Sequence, residues 1–122
     1  MKILVADDEA LLVKGIRFNL QSDGYEVVTG SNGVEAVQLA ADPDVNLVIL
    51  DVMMPEMDGL ETLRRIRELY QTPVVLMTGD KTLDVSTGFS ALGCDDYITK
   101  PLLPLLIREV VHNMTERTSI EG

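Results

Sequence analysis

Leu47-Val48-Ile49-Leu50-Asp51-Val52-Met53-Met54-Pro55-Glu56-Met57-Asp58-Gly59 is the stretch from which the fold of this chain can be read. Its first four residues are apolar without a polar interruption, the pattern of a strand covered on both faces. The run ends on a carboxylate, Asp51, after which Pro55 and Gly59 turn the chain. The strand therefore carries an acid at its C-terminal tip. A second apolar run, Ile3-Leu4-Val5-Ala6, ends on two acids, Asp7 and Asp8. A third strand-like stretch, Tyr97-Ile98-Thr99, is followed by Lys100. Three acids and one base at strand tips make a site when those tips lie side by side.

Outward from this stretch, short apolar runs alternate with segments of helical period. Strands are predicted at Lys2–Ala6, 26–29, 47–50, 74–77 and 97–99. In the first helix Leu12, Ile16 and Leu20 recur on one face, closed by Gly24. Asn32 suits the cap of the second, with Val34, Val37 and Ala41 as its inward stripe. Leu60, Leu63, Ile66 and Tyr70 stripe the third, leaving Arg64, Arg65 and Arg67 mostly to solvent. A fourth, near 83–92, is weak, since Ser86, Thr87, Gly88 and Ser90 are poor helix formers and Val85, Phe89 and Leu92 must hold it. Pro104 suits the first turn of a fifth.

Alternating β and α units predict an α/β fold: a doubly wound five-stranded parallel sheet, flavodoxin-like, with five helices on its two faces. In the strand order 2-1-3-4-5, strands one and three meet where the winding reverses, and ligands bind beyond the carboxyl ends there. Asp7, Asp8 and Asp51 then converge, with Thr78 and Lys100 on the same rim.

The 122 residues suffice for one domain, with 46% apolar and 25% charged residues and no repeat. A net charge of −10 argues against direct binding of nucleic-acid phosphates. The single Cys94 forms no internal disulfide and reads as a small buried thiol. Only four apolar residues stand between Lys2 and Asp7, too few for a signal segment, and nothing approaches the ~20 apolar residues of a membrane span. A cytoplasmic domain without membrane contact is expected.

Carboxylates crowded at one rim repel each other and favour a hard divalent cation. Mg²⁺ suits the set, because it takes one or two carboxylates and leaves room for phosphate oxygens. The Thr78 hydroxyl and the Lys100 ammonium can hold phosphoryl oxygens, and Gly79 keeps the backbone accessible. The constellation fits phosphoryl transfer onto Asp51 as nucleophile.

Asp7-Asp8-Glu9, the Asp51–Gly59 stretch, Thr78-Gly79, and Gly93-Cys94-Asp95-Asp96-Tyr97-Ile98-Thr99-Lys100-Pro101 follow in order. Together they resemble the receiver domains of two-component response regulators, over residues 2–114. The resemblance implies that Asp51 takes a phosphoryl group from a phosphohistidine on a sensor histidine kinase or a phosphotransfer protein. It implies Asp8 and Asp51 as direct Mg²⁺ ligands, Asp7 acting through water, and the Met53 carbonyl completing the set. Thr78 and Lys100 would contact the phosphoryl group, Tyr97 would report it by rotating, and Lys100-Pro101 matches the family's cis peptide. Partners, including a second copy in a homodimer, would meet the face of the fourth helix, fifth strand and fifth helix. The fifth helix is apolar on more than one side, through Leu102, Leu103, Leu105, Leu106, Ile107, Val110, Val111 and Met114. That excess is either an exposed contact patch or a wide core stripe. Leu102 stands where the family often has Phe. Val110 replaces an Arg that many DNA-binding subfamilies use between subunits, which puts that dimer mode in question.

Two rival readings weigh less. Haloacid-dehalogenase-type phosphatases carry an Asp-x-Asp pattern, and here Met53 fills the second position. A pseudo-receiver that no longer takes phosphate is disfavoured by the full set of Asp7, Asp8, Asp51, Thr78 and Lys100. His112 has no Cys or His beside it and supports no metal site, and Gly30-Ser31-Asn32-Gly33 lacks the phosphate-loop lysine. The domain is expected to span 1–116, with 117–122 a linker end or appended tail; a fragment of a larger regulator with an output domain is the favoured expectation and a stand-alone regulator the alternative.

Overall fold

A computed structural model describes residues 1–51, 59–78, 96–99 and 107–114. The elements are β1 (Lys2–Ala6), α1 (Ala10–Ser22), β2 (Glu26–Gly30), α2 (Gly33–Ala40), β3 (Val45–Asp51), α3 (Gly59–Leu69), β4 (Val74–Thr78) and β5 (Asp96–Thr99). Residues 107–114 form a further helical stretch. The strands make one parallel sheet in the order β2-β1-β3-β4-β5. β1 and β3 are thus neighbours, although a strand and two helices separate them in sequence. No described helix is long and apolar enough to cross a membrane.

The central strands are apolar on both sides because each side buries a different layer. Ile3, Val5, Leu47, Ile49, Val75, Met77 and Ile98 face Ile16 and Leu20 of α1 and the stretch 107–114. Leu4, Ala6, Val48, Leu50, Val74 and Leu76 face Ala36 and Ala40 of α2 and Leu63 and Ile66 of α3. The alternation breaks at Asn46. Lys2 pairs with Val45 but Ile3 with Leu47, so Asn46 is the extra residue of a bulge. Its side chain accepts the Lys2 backbone N–H at 3.0 Å, and Val45 falls on the α2–α3 side.

Local chemistry fixes the helix ends. The Asn32 side chain accepts the Glu35 N–H at 2.9 Å, and the Glu35 carboxylate accepts the Ser31 hydroxyl and the Ser31 N–H, which hold its carboxyl below the ordinary range, the hydroxyl contributing most. Asn32→Ala is expected to cost about 1 kcal/mol of unfolding free energy. A urea titration reads it, and an unmoved midpoint would show that α2 does not need its cap. Gly24, at φ 93°, turns the chain out of α1. Beside it Asp23 takes a bidentate pair of hydrogen bonds from Arg108, which ties the stretch 107–114 to the α1–β2 turn. On α3, Arg64 and Arg65 hold the Glu61 carboxyl down to about 2.

The inward stripe of α2 differs from the expected one. Gly33, Ala36 and Ala40 are buried, Val37 is half-buried, Ala41 is exposed and Val34 is 39% exposed. Small residues let α2 lie close to β1 and α3, and the larger Val34 turns outward. Leu63 and Ile66 of α3 are buried as their spacing suggested, joined by a fully buried Thr62. In the last helical stretch Ile107, Val110, Val111 and Met114 all enter the core, an i, i+3, i+4, i+7 stripe. The described half of the apolar excess is therefore core and not a contact patch. The expected fourth helix, Cys94, Leu102, Leu103, Pro104, Leu105, Leu106 and the tail 117–122 lie outside the described residues.

Candidate metal centre

Register brings the acids together. Ala6 of β1 is opposite both Gly30 of β2 and Leu50 of β3, so Asp7 and Asp51 are the next residues of adjacent parallel strands. Asp51 is in turn opposite Met77, one residue before Thr78, and Thr78 is opposite Thr99. Strands that climb in the same direction deliver their C-terminal residues to one rim.

On that rim Asp7, Asp8 and Asp51 each offer a carboxylate oxygen, and these atoms lie within 4.8 Å of one another. Asp7 and Asp51 are each only 2% exposed, while Asp8 opens to solvent. The Asp7 N–H donates to the Gly30 carbonyl at 3.1 Å, anchoring the strand tip to β2. The Asp7 Oδ1 accepts the Glu9 N–H at 2.9 Å, an Asx-turn that orients the carboxylate where α1 begins. Glu9 is the N-cap of α1, so Asp8 lies beside the positive end of that helix dipole. A cleft of about 530 Å³ runs from Asp7 and Asp8 between α1 and the β2–α2 turn, lined also by Lys14, Arg17, Ser31 and Glu35.

The donor set fits a hard divalent cation. Three carboxylates within 4.8 Å of one another repel unless a positive charge lies among them, and all-oxygen sites suit Mg²⁺ or Ca²⁺ over softer metals. Two ligands are set in rigid, buried strand ends and the third is exposed, which leaves one side of the ion open to water or a ligand. The expected convergence of Asp7, Asp8 and Asp51 is thus present in the structure. Thr78 and Tyr97 have their backbones in β4 and β5, and nothing is described of their side chains. Met53, Lys100 and Pro101 lie outside the described residues.

Sequence reasoning did not find the Gly30 carbonyl or the Glu9 N–H. The second has a signal, an Asp two residues before a helix N-cap, which favours an Asx-turn. The first has none, because a backbone acceptor carries no residue preference.

Comparison with known proteins covers nearly the whole chain. Residues 3–112 match the family described as the response regulator receiver domain. The chain is 38% identical over 121 residues to the alkaline phosphatase synthesis transcriptional regulatory protein PhoP of Bacillus subtilis (strain 168). That match takes in 98% of this chain and 50% of PhoP, so the chain spans half the length of that relative. Among solved structures, the REC domain of AraT, a response regulator from Geobacillus stearothermophilus, is 35% identical with a TM-score of 0.86, covering 98% of this chain and 96% of that one. A response regulator receiver domain protein from Clostridium thermocellum is 30% identical with a TM-score of 0.90, covering 99% and 98%. Because the matched span runs from Ile3 in β1 into the last described helix, it takes in all of the sheet but Lys2, and the chain belongs to the response regulator receiver domain family of two-component systems.

Proposed function

We propose that Asp51 is the phosphoacceptor of this domain, charged by a phosphohistidine on a sensor histidine kinase or phosphotransfer protein. The observation that carries the reading is the convergence of Asp7, Asp8 and Asp51 within 4.8 Å at the strand tips. In the transfer an Asp51 carboxylate oxygen forms a new P–O bond as the P–N bond to the donor imidazole breaks. The electron pair leaves with the imidazole nitrogen, and the product is an acyl phosphate. Asp7, Asp8 and Asp51, with the Met53 carbonyl by the family pattern, would hold Mg²⁺, which would supply positive charge against the phosphoryl oxygens. Burial of Asp51 in the end of β3 fixes the attacking oxygen, which is the positioning part of the catalysis. Thr78 and Lys100 carry the family pattern for holding the other oxygens, and hydrolysis by water resets the acid.

The domain acts as a signalling element that catalyses only its own phosphorylation and dephosphorylation. The phosphoryl group brings close to two negative charges to the rim. Thr78 moves toward it, Tyr97 follows, and the face of the fourth helix, fifth strand and fifth helix shifts between two states. The longer PhoP relative is named a transcriptional regulator, which supports an output module of transcriptional type. In this reading a homodimer through the fourth and fifth helices uses side chains other than Ile107, Val110, Val111 and Met114, since these are core. A cytoplasmic location follows from the kinase partner.

The test is intact-mass analysis after acetyl phosphate and Mg²⁺. Wild type should gain one phosphoryl group and Asp51→Asn none. A wild type that stays unmodified would favour a pseudo-receiver, and an adduct on Asp51→Asn would unseat the nucleophile.

A further inference from the structure

We propose that the cleft between α1 and β2 binds a diphosphate group. One end of the group meets the metal ion of the acid cluster, and the other meets Lys14 and Arg17. The inference rests on the metal reading of Asp7, Asp8 and Asp51, and no phosphoryl transfer enters it.

The cleft lies where α1 leaves the edge of the sheet uncovered. β2 is an edge strand, with β1 as its one neighbour. Val27 of β2 is buried in the layer that holds Val5 and Ile16, so Thr29, two residues on, belongs to the same side of the sheet. Thr29 is nonetheless polar and half-buried, and it forms part of the cleft wall.

The opposite wall is basic. Lys14 and Arg17 stand at i, i+3 on one flank of α1, exposed and lining the cleft. Long side chains on a helix lean toward its N-terminus, here toward Asp7 and Asp8. Among the described residues Lys2, Arg64, Arg65 and Arg108 each form an ion pair, and Arg67 donates to the Thr72 carbonyl at 2.7 Å. Lys14 and Arg17 do neither. Glu35 shares their cleft, yet its carboxylate is engaged by the Ser31 hydroxyl and N–H instead.

The balance of charge selects the ligand. Three acidic side chains, Asp7, Asp8 and Glu35, line the cleft beside the two basic ones, so an empty acid cluster disfavours an anion. A divalent cation there reverses the balance. The ligand must then present anionic oxygens in two directions, toward the metal and toward the basic pair. Lys14 is about 6 Å and Arg17 about 10 Å along the helix from Ala10, where α1 opens. Two linked phosphates close more of that span than one. Phosphate oxygens commonly complete Mg²⁺ sites, and Lys and Arg are suited to bind them. A volume of about 530 Å³ admits such a ligand. None of the described lining residues is aromatic, so a nucleobase finds no ring to stack on and recognition falls on the phosphates.

Equilibrium dialysis of radiolabelled inorganic diphosphate against the full chain, at fixed free Mg²⁺, tests the site. One diphosphate per chain should be retained, and affinity should fall at least about tenfold when the metal is chelated. Orthophosphate should compete at least about tenfold less well than unlabelled diphosphate. Displacement by ADP extends the site to nucleoside diphosphates, and its absence confines the site to the inorganic ion. Lys14→Gln with Arg17→Gln should weaken binding at least about tenfold, while the rise in Tm with Mg²⁺ alone becomes no smaller. Arg64→Gln with Arg65→Gln, the same charge change on α3, should leave diphosphate binding unchanged. Circular dichroism checks that each variant keeps its helices. Equal losses in the two double variants, or retention indifferent to Mg²⁺, would overturn the proposal. So would no retention up to about 1 mM in a chain whose Tm Mg²⁺ raises, and there the metal reading would stand. A Tm that Mg²⁺ does not move would remove the metal reading and the cleft with it.

Discussion

Chelating divalent cations is expected to slow phosphorylation of Asp51 by acetyl phosphate at least about a hundredfold, the scale on which removing one preorganised electrostatic contact slows a transfer. On the proposed reading three carboxyl groups meet a phosphoryl group that itself carries negative charge. Without a cation among them the approach of charge to charge opposes the reaction at every step. The same site should appear as binding without any chemistry. A ligand present at a hundred times its dissociation constant stabilises the native state by about 2.7 kcal/mol, which raises Tm by several degrees in a domain of this size. Asp8→Asn keeps the shape of the exposed ligand and removes its charge, so at the same Mg²⁺ concentration the rise in Tm should shrink. It should recover only at higher Mg²⁺. An equal Tm rise in wild type and Asp8→Asn would exclude Asp8 as a ligand. Transfer that is indifferent to chelation would exclude the metal from the reaction.

The second large effect concerns the sheet. Ile49→Ala should destabilise the domain by about 3 kcal/mol, within the usual span for deleting a buried branched side chain and leaving a cavity. Ile49 is 1% exposed, in the middle of β3, with β1 on one side and β4 on the other. Neighbouring strands hydrogen-bonded on both edges do not readily close in on the space. Against a total stability of order 5–15 kcal/mol the loss is large. Urea denaturation should show a lower midpoint with an unchanged slope. Val34→Ala, at an exposed position on α2, should stay within about 0.5 kcal/mol of wild type. A loss below about 1 kcal/mol in Ile49→Ala would mean that the core relaxes around the gap.

Strands were legible in the sequence where burial on both sides leaves a continuous apolar run. Residues 47–50 and 74–77 are such runs, and both lie inside observed strands. The acids were legible for a related reason: a charge directly after such a run must sit at a strand tip, since it has no place within the sheet. What failed was phase on α2. Val34, Val37 and Ala41 were the expected stripe, yet close approach to β1 and α3 selects small residues, and Gly33, Ala36 and Ala40 turn inward. Hydropathy measures the gain from burial and is blind to the room available. The bulge at Asn46 was equally invisible, because only pairing with Lys2 reveals the extra residue. Thr62, polar in sequence, is fully buried because its helix position faces inward whatever its chemistry.

The two-sided sheet has a consequence for how such a chain can change over generations. In a sheet with one wet face, slipping a strand by a single residue throws its apolar side chains into water, and folding itself forbids the error. Here a slip of β3 exchanges Ile49 for Val48 or Leu50, one oily residue for another. Within the run 47–50 the interior stays apolar, at the cost of some fit. Asp51, however, would move about 3.3 Å along the strand axis and turn to the opposite side of the sheet, away from Asp7. Alignment of the strands is therefore held more tightly by the demands of the site than by the hydrophobic effect. An insertion or deletion within β3 is expected to yield a protein that still folds and has lost its acid cluster, a route by which a lineage can keep the scaffold after the chemistry is gone.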